Sequence, residues 1–418
     1  MPNNTQQPDH DYSFEAVPQS ARKSFLPMFF IMLGFTFFSA SMSVGAKLGN
    51  GLDLSGFLWS ILLGGMILGA YTGILAYIGS KTGLSFDLLA QKSFGSIGSY
   101  LPSIFIGFTQ IGWFGVGVAM FAIPAGEVMH ISPTLLVIIA GICMTCSAYF
   151  GIKGLEIVSY ISVPLIAILG FYSMFTASST GGGLEAIFAQ SSGKISVFSG
   201  IGLVIGSFIS GGTATPNFTR FARNNRIAVI STVIAFFVGN SLMFAFGAVG
   251  GAFTGKDDIF YVMLAQGLIL PALVVLGANI WTTNDNALYT GALGLSNLTK
   301  IRKRPMVIVA GIIGTCTAIW LYNNFVGWLS FLNATLPPVG AIITLDYFMN
   351  KENYTVKGAV EKINLGAVLG VVTGALVGNF VPFGIASINA MAVACVCHYT
   401  YNKVFQTRKN ACYLQTQE

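Results

Sequence analysis

The chain has 418 residues, of which 54% are hydrophobic and only 9% charged, with a net charge of +6 and a mean hydropathy of +0.73. That composition excludes a soluble globular domain and requires a bilayer as solvent. The basic excess is spread over many short loops, which excludes a nucleic-acid surface and fits contact with anionic lipid.

Residues 1–21 are polar, lack the charged-then-apolar pattern of a cleavable leader, and read as a cytoplasmic tail. A spanning helix needs about 20 apolar residues. Segments of that kind are predicted at 25–48, 57–79, 100–125, 133–151, 156–177, 197–215, 227–252, 262–291, 306–322, 325–348, 363–380 and 384–402. With the amino terminus inside, 18 of the 21 basic residues fall on one side and only Lys47, Lys194 and Lys256 on the other. This bias is the one expected of twelve spans with both ends in the cytoplasm. The fold class is therefore an all-α membrane protein with twelve transmembrane helices. Residues 22–177 and 197–348 read as two five-helix repeats of inverted topology, 363–402 as two additional helices and 403–418 as a second cytoplasmic tail.

Segment 1 contains GFTFFSASMSVG at 34–45, and segment 6 contains GSFISGGTATPNFTRF at 206–221. Glycines and hydroxyls loosen a helix and free backbone carbonyls, which hydrocarbon tolerates only where they line a cavity or are buried in protein. Two interrupted spans at corresponding places in two halves predict a transporter's central site. In segment 3, Gln110 and Trp113 are three apart on one face. A planar aromatic with an amide one turn away suits a flat polar heterocycle, although a packing Trp beside a satisfied Gln is the alternative. Phe208 offers a second aromatic face. Ser207 and Ser210 flank it, and unwound backbone after them is expected to read donors and acceptors on a ring edge.

Segment 8 carries NIWTTNDNALYT, in which Asn279, Thr282, Thr283 and Asn286 form one polar stripe. Such a stripe is either interhelical glue or, with carbonyls freed near Gly34, an oxygen cage for sodium. Asn284 is expected, with Gln110, to distinguish the edge of one flat heterocycle from that of another. Asp285 needs a partner or a proton at membrane depth, leaving a hydrogen-bonded structural role and a proton-coupling role both open. Asp346 reads as a structural or gate residue, and Arg220, Arg223 and Arg226 as topology and headgroup contacts. Cys143 and Cys146 match CxxC without a neighbouring His or acid, and the cysteines read as small apolar residues. No HExxH, GxSxG or Walker pattern is present, so no enzyme, covalent catalysis or cofactor is expected.

The stretches VPQSARK (17–23), GFTFFSAS (34–41), QIGWFGVGVAMFAIP (110–124), FFVGNSLMFAFGA (236–248), NIWTTNDNALY (279–289) and LYNNFVGWLSFL (321–332) resemble the nucleobase:cation symporter-1 family over nearly the whole chain. The resemblance implies a LeuT-type 5+5 inverted repeat plus two C-terminal helices, and sodium-coupled uptake of cytosine across a bacterial cytoplasmic (inner) membrane. It also implies Na+ as coupling ion, membrane lipid as surroundings and a monomer as the working unit. By the same resemblance Trp113 and Phe208 sandwich the substrate. The sodium ligands fall on Gly34, Phe37, Thr282 and Thr283, with Asn279 one turn earlier. The sequence departs from hydantoin-transporting relatives at Phe208, where they have tryptophan, and at Gly117, where they have glutamine; Gln110 would replace that amide. The alternatives are a proton- or sodium-coupled permease for another flat heterocycle (uracil, a purine, a hydantoin), or a channel or receptor on the same fold.

Overall fold

The computed structural model describes residues 11–355 and 360–415. The first ten residues of the predicted amino-terminal tail and the last three of the carboxy-terminal one lie outside that range. In chain order the helices are α1 (Phe25–Thr36), α2 (Ser39–Gly51), α3 (Leu54–Thr82), α4 (Phe86–Phe94), α5 (Tyr100–Met129), α6 (Pro133–Ala148) and α7 (Ile152–Thr180). They continue with α8 (Leu184–Phe188), α9 (Val197–Thr213), α10 (Pro216–Thr219), α11 (Asn225–Val233), α12 (Asn240–Thr254), α13 (Ile259–Ala265), α14 (Ile269–Pro271) and α15 (Gly277–Thr299). The last five are α16 (Lys303–Asn323), α17 (Phe325–Thr335), α18 (Pro337–Met349), α19 (Leu365–Phe380) and α20 (Ala386–Gln415).

Among the described residues six helices are long and apolar enough to cross a membrane, and the bent pair α1 and α2 makes a seventh. Of the other predicted segments, four are shorter or interrupted, and the last lies in α20, which is long but carries a polar, charged end. α6 and α19 are apolar but brief. Segment 8 is α14 and α15 joined through a π turn at Ala272–Leu276, and segment 10 is split into α17 and α18. Pro337 and Pro338 open α18, and a proline has no N–H to continue the preceding helix.

The predicted break in segment 1 is present. α1 leaves helical geometry at Phe37 (φ −75°, ψ 84°), and α2 sets off at 50° to it. Beyond the bend, α2 lies directly on α12 along glycines. A Cβ on Gly45 would stand 2.2 Å from the Phe244 carbonyl oxygen, one on Gly49 2.3 Å from that of Ala248 and one on Gly247 1.8 Å from that of Met42. Only glycine allows two backbones this close.

The predicted break in segment 6 is present as well. Residues 206–213 remain helical, and the turn comes at Ala214 and Thr215, within the 206–221 stretch and after the serines. The hydroxyls there satisfy their own helix, Ser207 through the Val204 carbonyl (2.9 Å) and Thr213 through that of Ile209 (2.8 Å). Pro216, with no N–H to give, sets the turn.

At one end of the molecule the described part of the tail crosses the helix ends. Arg220, fully buried, donates to the carbonyls of Asp11 (2.7 Å) and Tyr12 (2.9 Å) and to the Tyr289 hydroxyl (3.1 Å). Lys303 pairs with Asp11 at 2.9 Å. Lys23 joins the chain at Phe221 and Arg223 by backbone hydrogen bonds and pairs with Glu156. This corrects the expectation for Arg220: it tethers the tail in the protein interior and does not face headgroups. A guanidinium with no exposed surface is retained only where its donors are met.

Candidate transport site

Between the two broken helices lies a cavity lined by Phe35, Phe38, Gln110, Trp113, Ser207, Phe208, Ser210, Gly211, Thr283 and Ala287. Five of the six residues expected to bind substrate therefore line one cavity: Gln110, Trp113, Ser207, Phe208 and Ser210. α5 presents Gln110 and Trp113 from successive turns, and α9 presents the other three. The Trp113 indole N–H donates to the Ser210 hydroxyl at 2.9 Å, which fixes the ring plane and uses the serine. Phe208 is held edge-on between Phe35 (5.3 Å between centroids) and Phe236 (5.4 Å). Gln110 is 2% exposed, and its Nε2 has no partner, so its amide N–H groups are left for an acceptor inside the cavity.

The space is closed down to about 20 Å³, room for about one water molecule. Phe325 of α17 caps it, edge-on to Trp113 at 5.8 Å. Beyond Phe325 opens a larger funnel of about 540 Å³, lined by Ser43, Lys47, Met120, Asp258 and Tyr322 among others. The Asp258 carboxyl, in the loop before α13, is pushed up to about 6 by burial.

Asn284 takes another direction. Its Nδ2 donates to the Phe114 carbonyl (3.1 Å) and the Met144 sulfur (3.2 Å), and its Oδ1 fills the space over Gly117, where a Cβ would stand 2.2 Å away. It packs α15 against α5 and α6 and does not line the cavity. Asp285 also faces α6: Ser147 donates to its Oδ1 at 2.7 Å, and the same hydroxyl accepts from the Trp281 indole at 2.6 Å. Asp346 accepts from the Tyr354 hydroxyl (2.7 Å) and meets buried His398 (3.3 Å), in a cluster of α18 and α20.

Beside the cavity the bend of α1 presents oxygens. The Thr283 hydroxyl lies 3.3 Å from both the Gly34 and the Phe37 carbonyl oxygens. The Asn279 amide donates to the Phe37 carbonyl at 2.5 Å, and its Oδ1 accepts from Ser39 at 2.8 Å. Thr282 turns toward α7, its hydroxyl 2.5 Å from that of Ser162. All five residues expected around sodium thus gather where α1, α7 and α15 meet. The donors are carbonyls, hydroxyls and an amide, the ligand class a hard cation prefers. Among the described residues no group of three or more His, Cys, Asp or Glu could hold a metal ion. Sequence reasoning missed Ser162, although serines at 159 and 162 in an apolar segment were the available signal. It also missed Phe35 and Phe38, although both lie in the interrupted stretch 34–45, and Phe325, which follows Asn323 and Asn324.

The model of a family described as permeases for cytosine/purines, uracil, thiamine and allantoin matches residues 16–401. The cytosine permease of Escherichia coli K12 is 49% identical over 406 residues, covering 96% of this chain and 97% of that protein. A purine-uracil permease of Arabidopsis thaliana is 24% identical over 76% of this chain and 59% of its own length. In structure, the chain is similar to Mhp1, a nucleobase-cation-symport-1 family transporter in a closed conformation with bromovinylhydantoin bound. The TM-score is 0.79 at 17% identity, over 92% of this chain and 93% of that one. Nearly end-to-end similarity to permeases, a helical fold shared with Mhp1 and a central cavity between broken helices agree on one conclusion: this chain is a multi-pass membrane transporter, not an enzyme, and belongs to the nucleobase:cation symporter-1 family of cytosine/purine permeases.

Proposed function

We propose that the protein imports cytosine across the bacterial cytoplasmic membrane together with sodium, by alternating access, with both termini in the cytoplasm. The observation that carries this reading is the double placement of Thr283. It lines the closed cavity, and its hydroxyl also lies against the Gly34 and Phe37 carbonyls of the broken helix. A cation drawing those oxygens together fixes α1 against α15, and with them one wall of the cavity. Sodium and substrate then favour the same state, and each raises the affinity of the other.

In this reading Trp113 and Phe208 take the two faces of the ring. Gln110 supplies a hydrogen-bond donor to its edge, and Ser207 and Ser210 lie beside it. A single-ring substrate suits phenylalanine at 208, and the 49% identity to a cytosine permease selects cytosine among such rings. The test is uptake of radiolabelled cytosine into proteoliposomes under separately imposed sodium and proton gradients. Accumulation driven by sodium at equal pH supports the reading. Accumulation driven by a proton gradient alone would replace sodium with a proton and turn attention to Asp285, whose Oδ2 is buried without a hydrogen bond.

A further inference from the structure

The funnel beyond Phe325 lies at the end of the molecule away from the tail. Lys303, which pairs with Asp11 of the tail, opens α16, and Tyr322 stands near the other end of that helix, about 30 Å along its axis. The funnel of about 540 Å³ is lined there by Ser43, Lys47, Met120, Asp258, Tyr322 and Phe325 among others. Small-molecule sites span roughly 300–1,000 Å³, so a single ring fits in it, whereas the central cavity is shut down to about 20 Å³. Phe325 belongs to both spaces: it lines the funnel and stands edge-on to Trp113 at 5.8 Å.

Opposite charges face the funnel without closing on one another. Lys47 and Asp258 both line it, yet among the described residues no ion pair joins them. The Lys47 ammonium stands over the Phe325 ring instead, 5.7 Å from its centroid. It is still near enough to act on Asp258: burial opposes the charge of that carboxylate, and Lys47 favours it. Asp258 caps α13 by accepting from the Phe260 N–H at 2.9 Å, and the Tyr261 N–H and Tyr322 hydroxyl also lean on it. A carboxylate has about four acceptor positions, so a further donor can be taken up. The neighbouring Asp257 is occupied by the Asn50 amide at 2.8 Å.

A carboxylate with room for a donor, an ammonium across the gap and an aromatic ring beside them complement one kind of molecule. It is a flat, neutral heterocycle whose edge carries a donor next to an acceptor. An amino or ring N–H group gives to Asp258, and the adjacent carbonyl or ring nitrogen accepts from Lys47. A simple anion would be repelled by the carboxylate and a simple cation by the ammonium; a neutral edge with both polarities meets both.

We propose that the funnel is a second, weaker binding site for the transported heterocycle, held between Asp258 and Lys47 on the far side of Phe325 from the central cavity. This rests on the cytosine reading above. The site offers two charged groups and one ring, against the two aromatic faces of the central cavity, and it is open to solvent on one side, so its occupant is held less tightly. It gives the ring a place to stand while the central cavity is closed.

Equilibrium dialysis of the purified protein with radiolabelled cytosine at saturating sodium tests this. The wild type is expected to bind one molecule tightly and a second weakly. Phe208→Ala, which alters the central cavity, should weaken the first and spare the second. Asp258→Asn keeps a side chain able to cap α13, and Lys47→Met keeps the apolar stem. Each should weaken the second molecule about tenfold, the effect of one lost charge-assisted hydrogen bond, and leave the first within about twofold; Lys47→Arg should hold both. A single bound molecule in the wild type would overturn the proposal, as would a second molecule that Asp258→Asn and Lys47→Met hold as well as the wild type does. So would a several-fold loss at the tight site in these two variants, which would make the funnel part of one central site. Wild-type protein that binds no cytosine would remove the underlying reading as well.

Discussion

The two interruptions of the helical core have nearly the same composition and opposite outcomes. At Phe37 and Phe38 the chain opens, and side chains from α15 take up the carbonyls it frees. At 206–213 the glycines and serines stay helical, the Ser207 and Thr213 hydroxyls turned onto their own backbone and that of Ser210 meeting the Trp113 indole, and the turn waits for Ala214. What differs is the neighbour. Next to the first break stands a helix with an amide and a hydroxyl at the right spacing. The second is backed by Phe35, Leu68 and the methyl of Thr72 against Gly211 and Gly212, and the hydroxyls nearby are already engaged: Thr72 on the Gly69 carbonyl (3.2 Å) and Tyr71 with the Thr213 hydroxyl (2.7 Å). Its far side is closed by the tail, through Arg220, and by α4, whose Phe86 N–H donates to Asn217 of α10 at 2.8 Å. A helix opens where the lost hydrogen bonds are replaced.

The largest way to break this contrast is at Arg220. Arg220→Gln should strand the Asp11 and Tyr12 carbonyls and lower stability by roughly 3 kcal/mol, read as a fall in thermal midpoint in detergent. An unshifted midpoint would mean that the second break does not depend on the tail. Next come the two aromatic walls: Trp113→Ala and Phe208→Ala should each weaken cytosine binding by about 1–3 kcal/mol, taking base–aromatic stacking as the guide. Trp113→Ala should be the worse, since it also frees the Ser210 hydroxyl. Wild-type affinity in both purified variants would remove the sandwich.

Thr283→Ala should raise the sodium needed for half-maximal cytosine binding about tenfold, while saturating sodium recovers most of the affinity. Ser207→Ala, on the break that serves itself, should leave the sodium midpoint unmoved; matching shifts in the two variants would erase the distinction between the breaks. Gln110→Ala and Asn284→Ala divide in the same manner. The first should narrow discrimination between cytosine and uracil by a few-fold, because its free Nε2 faces the cavity, and the second should not. Competition binding by uracil checks both.

The smallest effect concerns pH. Burial pushes the Asp87 carboxyl up to about 6, so the folded protein holds a proton that the unfolded chain has released. Stability is therefore greatest below the ordinary carboxylate range and is lost as pH rises through about 6. Between pH 6 and pH 8 the remaining loss is about half a kcal/mol. Asp258, also held up to about 6, contributes a like slope, so Asp87→Asn should remove about half of it in a thermal-shift series; a slope unchanged by the substitution would place the titrating group elsewhere.

By itself the sequence determined the bilayer as solvent, the order of apolar segments and the residue types around the site. Each follows from local chemistry: hydropathy, the spacing of Asn279, Thr282 and Thr283 along one helix face, and Gln110 three residues before Trp113. The break in α1 was legible for the same reason, since small polar residues in an apolar run have few uses in hydrocarbon. Which groups meet across helices was not. Asn284 and Thr283 are adjacent and similarly polar, yet a 100° step on α15 sends one to the Phe114 carbonyl and the other to the cavity. Arg220 looked like any loop cation until the tail folded back over it. Phe35, Phe38 and Phe325 are three among 34 phenylalanines, and only their packing made them walls.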